Sequence, residues 1–175
     1  MDFMKFMESQ AGGEAIDLLW RGTRFEWLRN LQNTRKGDLG EKLAAAIFNG
    51  RIVKGVRYDV DAGTMKIEVK LATQSIANVV TRKFTWNQVR YADDSTHHCL
   101  IAVYPAKIRV FLMPNEVIRL NISDQHGRGQ GQFQATDLDF HRVNAGEEWV
   151  WMRDFEIVSS EPPKVSGTDP TDAVP

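Results

Sequence analysis

The spacing of apolar residues changes along the chain, and the change predicts where helices give way to strands. Between about residues 14 and 32, apolar side chains recur every three or four positions, as at Ile16, Leu19 and Trp20. This spacing is typical of amphipathic helices, and Gly22-Thr23 is a candidate break between two of them. The pattern therefore predicts a helical N-terminal segment.

A second helix is marked by residues that favour helix ends. Asp38 is a good N-cap, Glu41 stands three residues later as in a capping box, and Gly50 follows the last expected turn. The apolar face of this helix would contain Leu39, Leu43, Ala46 and Ile47.

After Gly50, apolar and polar residues alternate, which predicts strands. Two strands, over 53–60 and 66–71, would form a hairpin that turns at Ala62-Gly63. The remaining predicted elements are a short helix from Thr85 through Tyr91, strands over Cys99–Tyr104 and Ile108–Met113, a polar loop over 121–134 and a late strand over 149–158. This order predicts an α/β (α+β) fold with a central mixed β-sheet flanked by helices.

The length and composition are those of one ordinary globular domain. The chain has 175 residues, of which 42% are hydrophobic and 26% are charged. We expect a single domain over residues 1–158, with N-terminal helices over 1–35, a core over about 36–114 and a C-terminal loop and strand over 115–158. Four of the six prolines follow Ser159, so we expect a disordered tail over 159–175.

The net charge of −1 conceals an uneven distribution along the chain. Residues 21–90 carry a net charge of +8, whereas residues 1–20 carry −3 and residues 129–175 carry −6. A basic middle between acidic ends suits a local site for a polyanion, although solvated helix faces would give the same distribution.

The remaining composition bears on the compartment. The single cysteine, Cys99, excludes a disulfide scaffold and a multi-cysteine zinc site. No stretch approaches the ~20 apolar residues of a membrane span, and the first residues lack the order of a secretory signal. We therefore expect a cytoplasmic protein that makes no membrane contact.

Charged residues of the predicted hairpin share one face. Side chains alternate along a strand, so Glu68 and Lys70 project from the same side of the second strand. If the chain turns at Ala62-Gly63, Asp59 lies opposite Lys66 and projects from that side too. Two carboxylates and two ammonium groups are thus expected on a single surface.

The same register favours one of two aspartates as the neighbour of Glu68. Asp59 would be a diagonal neighbour of Glu68, with backbones roughly 7–8 Å apart. Asp61 would be on the order of 13 Å away. A one-residue bulge at Gly63 would exchange the two aspartates, so Asp61 stays an alternative.

Carboxylates beside an ammonium group predict a particular chemistry. Oxygen ligands without histidine or cysteine suit a hard cation such as Mg²⁺ or Mn²⁺. Such a cation lowers the pKa of bound water and offsets charge on a phosphate under attack, and Lys70 could orient the water. An isolated Glu-x-Lys triplet is also common on the solvated face of a hairpin, so its surroundings decide its meaning.

Those surroundings resemble a known family. Asp59, followed after eight residues by Glu68-Val69-Lys70, resembles the motif of the PD-(D/E)XK nuclease superfamily, which has the restriction-endonuclease-like fold. The resemblance extends over about Lys36–Pro114, because Gly40-Glu41 is similar to the family's helical glutamate and the order of later elements fits. The sequence departs from the motif at Tyr58, where the family has proline.

The resemblance implies metal-dependent hydrolysis of phosphodiester bonds. It implies that Asp59 and Glu68 bind Mg²⁺, with Mn²⁺ as a substitute, and that Glu41 supports the metal while Lys70 assists the water. Glu41 could equally cap its helix, and Gln88 could either cap a helix or make a polar contact beside the site. We expect a restriction-like enzyme of type II that cuts double-stranded DNA as a homodimer.

The expected DNA contacts combine basic side chains with a polar loop. Basic side chains would bind backbone phosphates, and the Gly-rich loop over 125–132 could contact phosphates or base edges. The candidates are Arg35, Lys36, Arg82, Lys83, Gln88, His126 and Arg128. Two alternatives stay open, namely a structure-selective nuclease of the Holliday-junction or repair type, and a catalytically inactive DNA-binding module of the same fold.

Overall fold

The computed structural model describes residues 19–76, 82–90, 94–124, 130–136 and 152–157. Its helices are α1 (Glu26–Arg29), α2 (Asn33–Ile47) and α3 (Asn115–Asn121), with a 3₁₀ turn at Arg153–Phe155. Its strands are β1 (Arg51–Ile52), β2 (Val60–Ala62), β3 (Met65–Thr73), β4 (Ser75–Ile76), β5 (Arg82–Arg90), β6 (His97–Val103), β7 (Ile108–Pro114), β8 (Ser123–Asp124) and β9 (Gln130–Thr136).

The strands form two sheets. Sheet A has the order β1-β2-β3-β6-β7, with β3 and β6 parallel and the other pairs antiparallel. Sheet B is antiparallel and has the order β4-β5-β9-β8. The predicted α+β fold with a central mixed sheet is therefore confirmed.

Two buried clusters hold three layers together. Alternate residues of β6 point to opposite faces of sheet A, so Leu100 packs against sheet B while Ile101 packs against the helices. Trp20 joins the cluster under the helices. The layers are therefore helices α1 and α2, then sheet A, then sheet B with α3, whose Ile118 belongs to the same cluster as Leu100. Strand β6 is buried on both faces, as its continuous apolar run predicts.

Helix α2 begins earlier than its sequence suggests. It starts at Asn33, so the predicted N-cap at Asp38 is wrong and Glu41 lies well inside the helix rather than in a capping box. The helix ends at Ile47, and Gly50 follows its last turn as predicted. Asp38 and Glu41 are therefore exposed or half-buried side chains of a regular helix.

Small residues bring α2 close to sheet A. The predicted apolar face is partly wrong, because Ala46 and Ile47 are exposed whereas Gly40 and Ala44 are buried. A Cβ atom on Gly40 would lie 3.4 Å from side-chain atoms of both Val69 and Leu71. The absence of that atom lets the helix axis approach β3 and brings α2 side chains to the edge of this strand.

The predicted hairpin forms with a shifted turn. The turn residues are Gly63 and Thr64, Gly63 has a φ of +73°, and the pairs are Asp61 with Lys66 and Val60 with Ile67. The register moves by two positions, which leaves every side chain on its predicted face. The predicted strand over 53–60 is largely wrong, since residues 53–59 join β1 to β2 without strand pairing.

The predicted helix from Thr85 to Tyr91 is wrong over its described residues. Residues 82–90 form β5, which has a β-bulge between Trp86 and Val89 and a φ of +54° at Gln88. The strand is favoured because Phe84 and Trp86 alternate into the core between the sheets. The indole N–H of Trp86 donates to the carbonyl of Ile101 at 3.1 Å, which satisfies its one buried polar atom.

The C-terminal predictions are partly wrong. The predicted strands over Cys99–Tyr104 and Ile108–Met113 correspond to β6 and β7, but the predicted loop over 121–134 contains β8 and most of β9. The described part of the predicted strand over 149–158 is a 3₁₀ turn followed by one bridge, from Glu156 to Phe111. The tail over 159–175 lies outside the described residues, as do residues 1–18.

Among the described residues, no helix has both the length and the apolar character that are needed to span a lipid bilayer.

Candidate active site

The candidate site begins where β2 stops pairing with β3. Strand β2 covers only Met65–Ile67, and the backbone N–H of Asp59 adds one more bond, to the carbonyl of Ile67 at 2.9 Å. One step further, the backbone N–H of Val69 donates to the Asp59 carboxylate at 2.8 Å. A side-chain oxygen thus replaces a strand carbonyl, and no other described strand pairs with the rest of this edge of β3, which we call the open edge.

Asp59 lies just before β2, and the strand register ends at the pair of Val60 with Ile67. The Asp59 carboxylate accepts from the backbone N–H of Val69, the residue after Glu68. Its negative charge adds to the burial that raises the pKa of Glu68. The two carboxylates are therefore neighbours where the paired part of β3 ends.

Glu68 is a buried carboxylate that forms an ion pair with Lys70. Only 2% of the residue is exposed, and its carboxylate accepts from the Lys70 ammonium at 2.6 Å. Burial raises the pKa of Glu68, Lys70 opposes that shift, and the negative charge of Asp59 adds to it. Positive charge brought next to this pair would stabilise both ionised carboxylates.

The open edge borders a cleft of about 750 Å³. Three functional side chains predicted from the sequence line it: Glu41 from α2, Asp59 from the segment before β2, and Lys70 from β3. The opposite wall comes from the bulged part of β5 and includes Thr85, Asn87 and Gln88. The helix layer, sheet A and sheet B therefore all contribute to one cavity.

One end of the cleft is cationic. Arg29 and Lys36 line it, and the Lys36 ammonium donates to the backbone carbonyl of Arg29 at 2.9 Å. The Arg29 guanidinium donates to the Thr73 hydroxyl at 3.1 Å, at the end of β3. Burial and the Arg29 charge lower the pKa of Lys36. Two cations are thus fixed beside the strand that carries Glu68 and Lys70.

Glu41 lies in the cleft but is held by another residue. Its carboxylate forms an ion pair with the Lys54 ammonium at 2.7 Å. This hydrogen bond raises the pKa of Lys54, whose side chain is mostly exposed. Since Glu41 lies in the middle of α2, the capping alternative for this residue is wrong.

Asp61 has a different environment from Asp59, although it lies only two residues away on the same face. It accepts from Arg51 at 3.1 Å and from the backbone N–H of Gly63 at 3.2 Å. The Arg51 hydrogen bond, the largest influence, lowers the pKa of Asp61. Asp61 therefore supports the β1–β2–β3 corner and is not among the residues that line the cleft.

The predicted DNA-contacting residues occupy different places. Lys36 and Gln88 line the cleft, so for Gln88 the described strand replaces the capping alternative by a polar position beside the site. Arg35 is exposed on α2, and Lys83 is half-buried on β5. Arg82 belongs to β5, but its side chain lies outside the described part of the chain, as do His126 and Arg128.

Sequence reasoning missed two cleft residues, Arg29 and Asn87. Arg29 is seven residues before Lys36, two helical turns in an unbroken helix, but a bend separates α1 from α2. Asn87 was hidden by the helix prediction, although the alternation of Phe84 and Trp86 with polar residues is a strand signal.

The donor set at the open edge fits a hard divalent cation. Asp59 and Glu68 supply carboxylate oxygens, the ligands that hard cations prefer, and burial with the nearby charge of Asp59 raises the pKa of Glu68, which an added cation would oppose. Within the described ranges, no three His, Cys, Asp or Glu side chains converge tightly enough to hold an ion. Glu41 stays with Lys54, so Asp59 and Glu68 alone form the carboxylate pair.

Comparisons with known proteins find a distant structural likeness. No protein-family model matches the chain, and no curated protein matches it significantly in sequence. A solved structure of MepB has a TM-score of 0.41 and 11% identity, covering 70% of this chain and 97% of that one. The bacterial homing endonuclease I-Ssp6803I also has a TM-score of 0.41, with 12% identity over 69% of this chain and 86% of its own. Both likenesses are too distant to assign a family or a function.

Proposed function

We propose that this protein is a metal-dependent endonuclease that hydrolyses phosphodiester bonds in double-stranded DNA, in the manner of a type II restriction enzyme. The observation that carries the proposal is the convergence of Asp59, Glu68 and Lys70 on the stretch of β3 that no described strand covers, beside a cleft with cationic groups. The charge of the chain supports it, because the cleft residues Arg29, Lys36 and Lys70 belong to residues 21–90, which carry a net charge of +8.

The two carboxylates would hold Mg²⁺, with Mn²⁺ as a substitute. Asp59 and Glu68 are the proposed ligands, and Glu41 would support the metal directly or through water after leaving Lys54. When bound, the cation supplies Lewis-acid chemistry: it lowers the pKa of a water molecule and offsets the charge that develops on the phosphate.

Lys70 is the proposed proton and hydrogen-bond donor next to the reacting phosphate. Its ammonium is fixed by Glu68, so it can orient the attacking water or donate to a phosphate oxygen. Attack forms a new bond from water oxygen to phosphorus while the bond from phosphorus to the leaving oxygen breaks. Arg29 and Lys36, at the cationic end of the cleft, would bind a neighbouring phosphate of the same strand.

A homodimer would explain cleavage of both strands. Two copies of one site related by a two-fold axis can face the two antiparallel strands of a duplex. Light scattering of the protein with and without DNA tests this expectation, and a monomer in both conditions would contradict it.

The central test is cleavage of plasmid and phage DNA with Mg²⁺, with Ca²⁺ or with EDTA. We expect discrete fragments with Mg²⁺ and none with EDTA. Lys70→Met should lower the cleavage rate about 100-fold, within the range for loss of a proton-transfer group. The matched control is Lys66→Met, on the paired half of the same strand, which should stay within about 3-fold of the wild type.

Other outcomes would redirect or reject the proposal. Cleavage of a synthetic four-way junction, with linear duplex left intact, would identify a structure-selective nuclease. Cleavage that persists in EDTA, or that Lys70→Met leaves unchanged, would reject metal-dependent hydrolysis at this site. DNA binding without any cleavage would identify a catalytically silent module.

A further inference from the structure

The outer face of sheet B carries a row of uncharged polar side chains. Inward-pointing residues of β5 and β9, such as Trp86 and Phe133, fill the core between the sheets. The outward-pointing residues between them are Thr85, Asn87, Gln132 and Gln134. Thr85 is the partner of Gln134 in the strand register, so the row crosses both strands.

Hydrogen bonds connect the three carboxamides of this row. The Gln132 amide nitrogen donates to the Asn87 side-chain oxygen at 2.6 Å, and the Gln134 amide nitrogen donates to the Gln132 side-chain oxygen. A carboxamide has two donor hydrogens and an oxygen with two lone pairs, so such a chain fixes each amide and leaves bonding capacity toward solvent. Asn87 and Gln134, at the two ends of this hydrogen-bonded row, are exposed.

The β-bulge joins this row to the cleft. Two residues of β5, Asn87 and Gln88, stand opposite the single residue Gln132, and the positive φ of Gln88 is the local sign of the extra residue. Asn87 therefore belongs to the outer row and also lines the cleft with Thr85 and Gln88. A ligand that fills the cleft and extends past β5 would lie on the carboxamides.

The shape and chemistry of the row suit the major groove of DNA. Strands β4 and β8 pair at opposite corners over two residues each, so in the described part of the chain the middle of sheet B is a two-stranded ribbon. A major groove about 12 Å wide admits such a ribbon, and Asn or Gln can form two hydrogen bonds with adenine N6 and N7. Uncharged amides contribute little to phosphate binding, whereas Lys83, on the same side of β5, can bind the backbone.

We propose that the Asn87–Gln132–Gln134 row recognises bases in the major groove and prefers an A·T pair beside the phosphate held in the cleft. This inference rests on the proposed nuclease function, because that function places the DNA strand in the cleft. It makes the protein a sequence-specific enzyme and assigns its specificity to the ribbon of sheet B.

The test measures binding separately from cleavage. A pool of duplex DNA with a randomised centre is selected on the full-length protein in Ca²⁺, and the enriched adenine is then replaced by 7-deazaadenine, which lacks N7. We expect enrichment of A·T at one or more positions and about 10-fold weaker binding of the 7-deazaadenine duplex to the wild type. The Gln134→Ala variant should bind both duplexes within about 2-fold of each other, because it cannot use N7.

Lys83→Ala is the matched control on the same face. It should weaken binding to all sequences equally and reduce the dependence on salt by about one counterion, while the preference for adenine persists. Circular dichroism and thermal melting confirm that both variants, which change surface side chains, stay folded.

The remaining outcomes separate this inference from the proposed function. Binding without base preference, enrichment of G·C alone, or an unchanged preference in Gln134→Ala would overturn the inference while leaving the nuclease proposal intact. Selective A·T binding without cleavage would support base recognition by the row and reject the proposed hydrolytic activity. Failure to bind DNA would overturn both.

Discussion

Two strand edges in sheet A satisfy their unpaired backbone groups in different ways. At the outer edge of β7, the C-terminal segment covers the strand: Ile157 donates its backbone N–H to Val110 at 2.8 Å, and Glu156 bridges to Phe111. At the open edge of β3, the described pairing with β2 ends at Ile67, and the carboxylate of Asp59 accepts the N–H of Val69 instead.

The difference separates structure from candidate function. Unpaired strand edges invite unwanted association and are normally covered or shielded by charge. The β7 edge is covered by backbone and locked by an ion pair between Arg109 and Glu156. The β3 edge is left to side chains, and Asp59, Glu68 and Lys70 lie there. The part of β3 that borders the cleft is therefore the part that no described strand covers.

The largest effect is expected when the charge of Asp59, rather than that of Asp61, is removed. Asp59→Asn keeps an oxygen for the Val69 N–H but removes the charge, so it should lower DNA cleavage about 1,000-fold, equivalent to about 4 kcal/mol of transition-state stabilisation. Asp61→Asn, on the paired side of the same strand end, should stay within about 3-fold of the wild type. Initial rates on plasmid DNA measure both.

Equal losses in the two variants would contradict this comparison. Equal losses accompanied by equal drops in melting temperature would mean that both aspartates act through folding. A loss restricted to Asp61→Asn would move the site to the β1–β2 corner, beside Arg51.

A second prediction concerns the position of β2, which marks where the paired part of β3 ends and its open edge begins. A Cβ atom on Gly50 would lie 2.7 Å from the Val60 side chain and 2.9 Å from the Asp61 carbonyl, so Gly50→Ala must push β2 away from the end of α2. We expect a loss of about 2 kcal/mol in the free energy of unfolding, measured with urea. Gly37→Ala, where nothing lies within 4 Å, is the control and should be neutral or slightly stabilising.

The smallest effect is expected at the covered edge. The Arg109 hydrogen bond, the largest influence, lowers the pKa of Glu156 from its ordinary value of 4.5. The ion pair therefore contributes its full stability above that value and loses it as the pH falls through the lower folded pKa. Glu156→Gln should lower the free energy of unfolding by about 1 kcal/mol at pH 7, because the pair is partly solvated.

The pH dependence distinguishes this ion pair from general packing at the edge. The difference in the free energy of unfolding between wild type and Glu156→Gln should become smaller below pH 4.5, as measured by urea unfolding at several pH values. Asp154→Asn, an exposed neighbour, should show no such trend. A gap that stays constant down to acidic pH would mean that Glu156 acts through contacts other than its charge.

The sequence predicts the faces of the hairpin well and its turn poorly. Alternation alone places Glu68 and Lys70 on one side with Lys66, and this survives because the register moves by two positions, an even number. Whether the turn begins at Ala62 or Gly63 depends on the positive φ of Gly63 and on how β2 fits against Gly50. The latter is a tertiary contact that no local pattern contains.

The errors at β5 and α2 have a common cause. The capping-box pattern favours a helix at both Thr85–Gln88 and Asp38–Glu41, but it is a weak local preference that packing overrides. At β5 the burial of Phe84 and Trp86 between two sheets outweighs it. At α2 the helix simply extends further toward its N-terminus. At β5 the capping-box pattern thus misleads, whereas the alternation of Phe84 and Trp86 with polar residues is the local signal that agrees with the structure.

The hydrogen bond from Val69 to Asp59 divides one side chain between two tasks. One carboxylate oxygen accepts from the backbone, and the other keeps both lone pairs for the cation that we propose. The sheet thus orients this second oxygen before any ligand arrives. Any drift of β2 would be transmitted to that oxygen, which ties the geometry of the chemistry to the integrity of a three-residue strand.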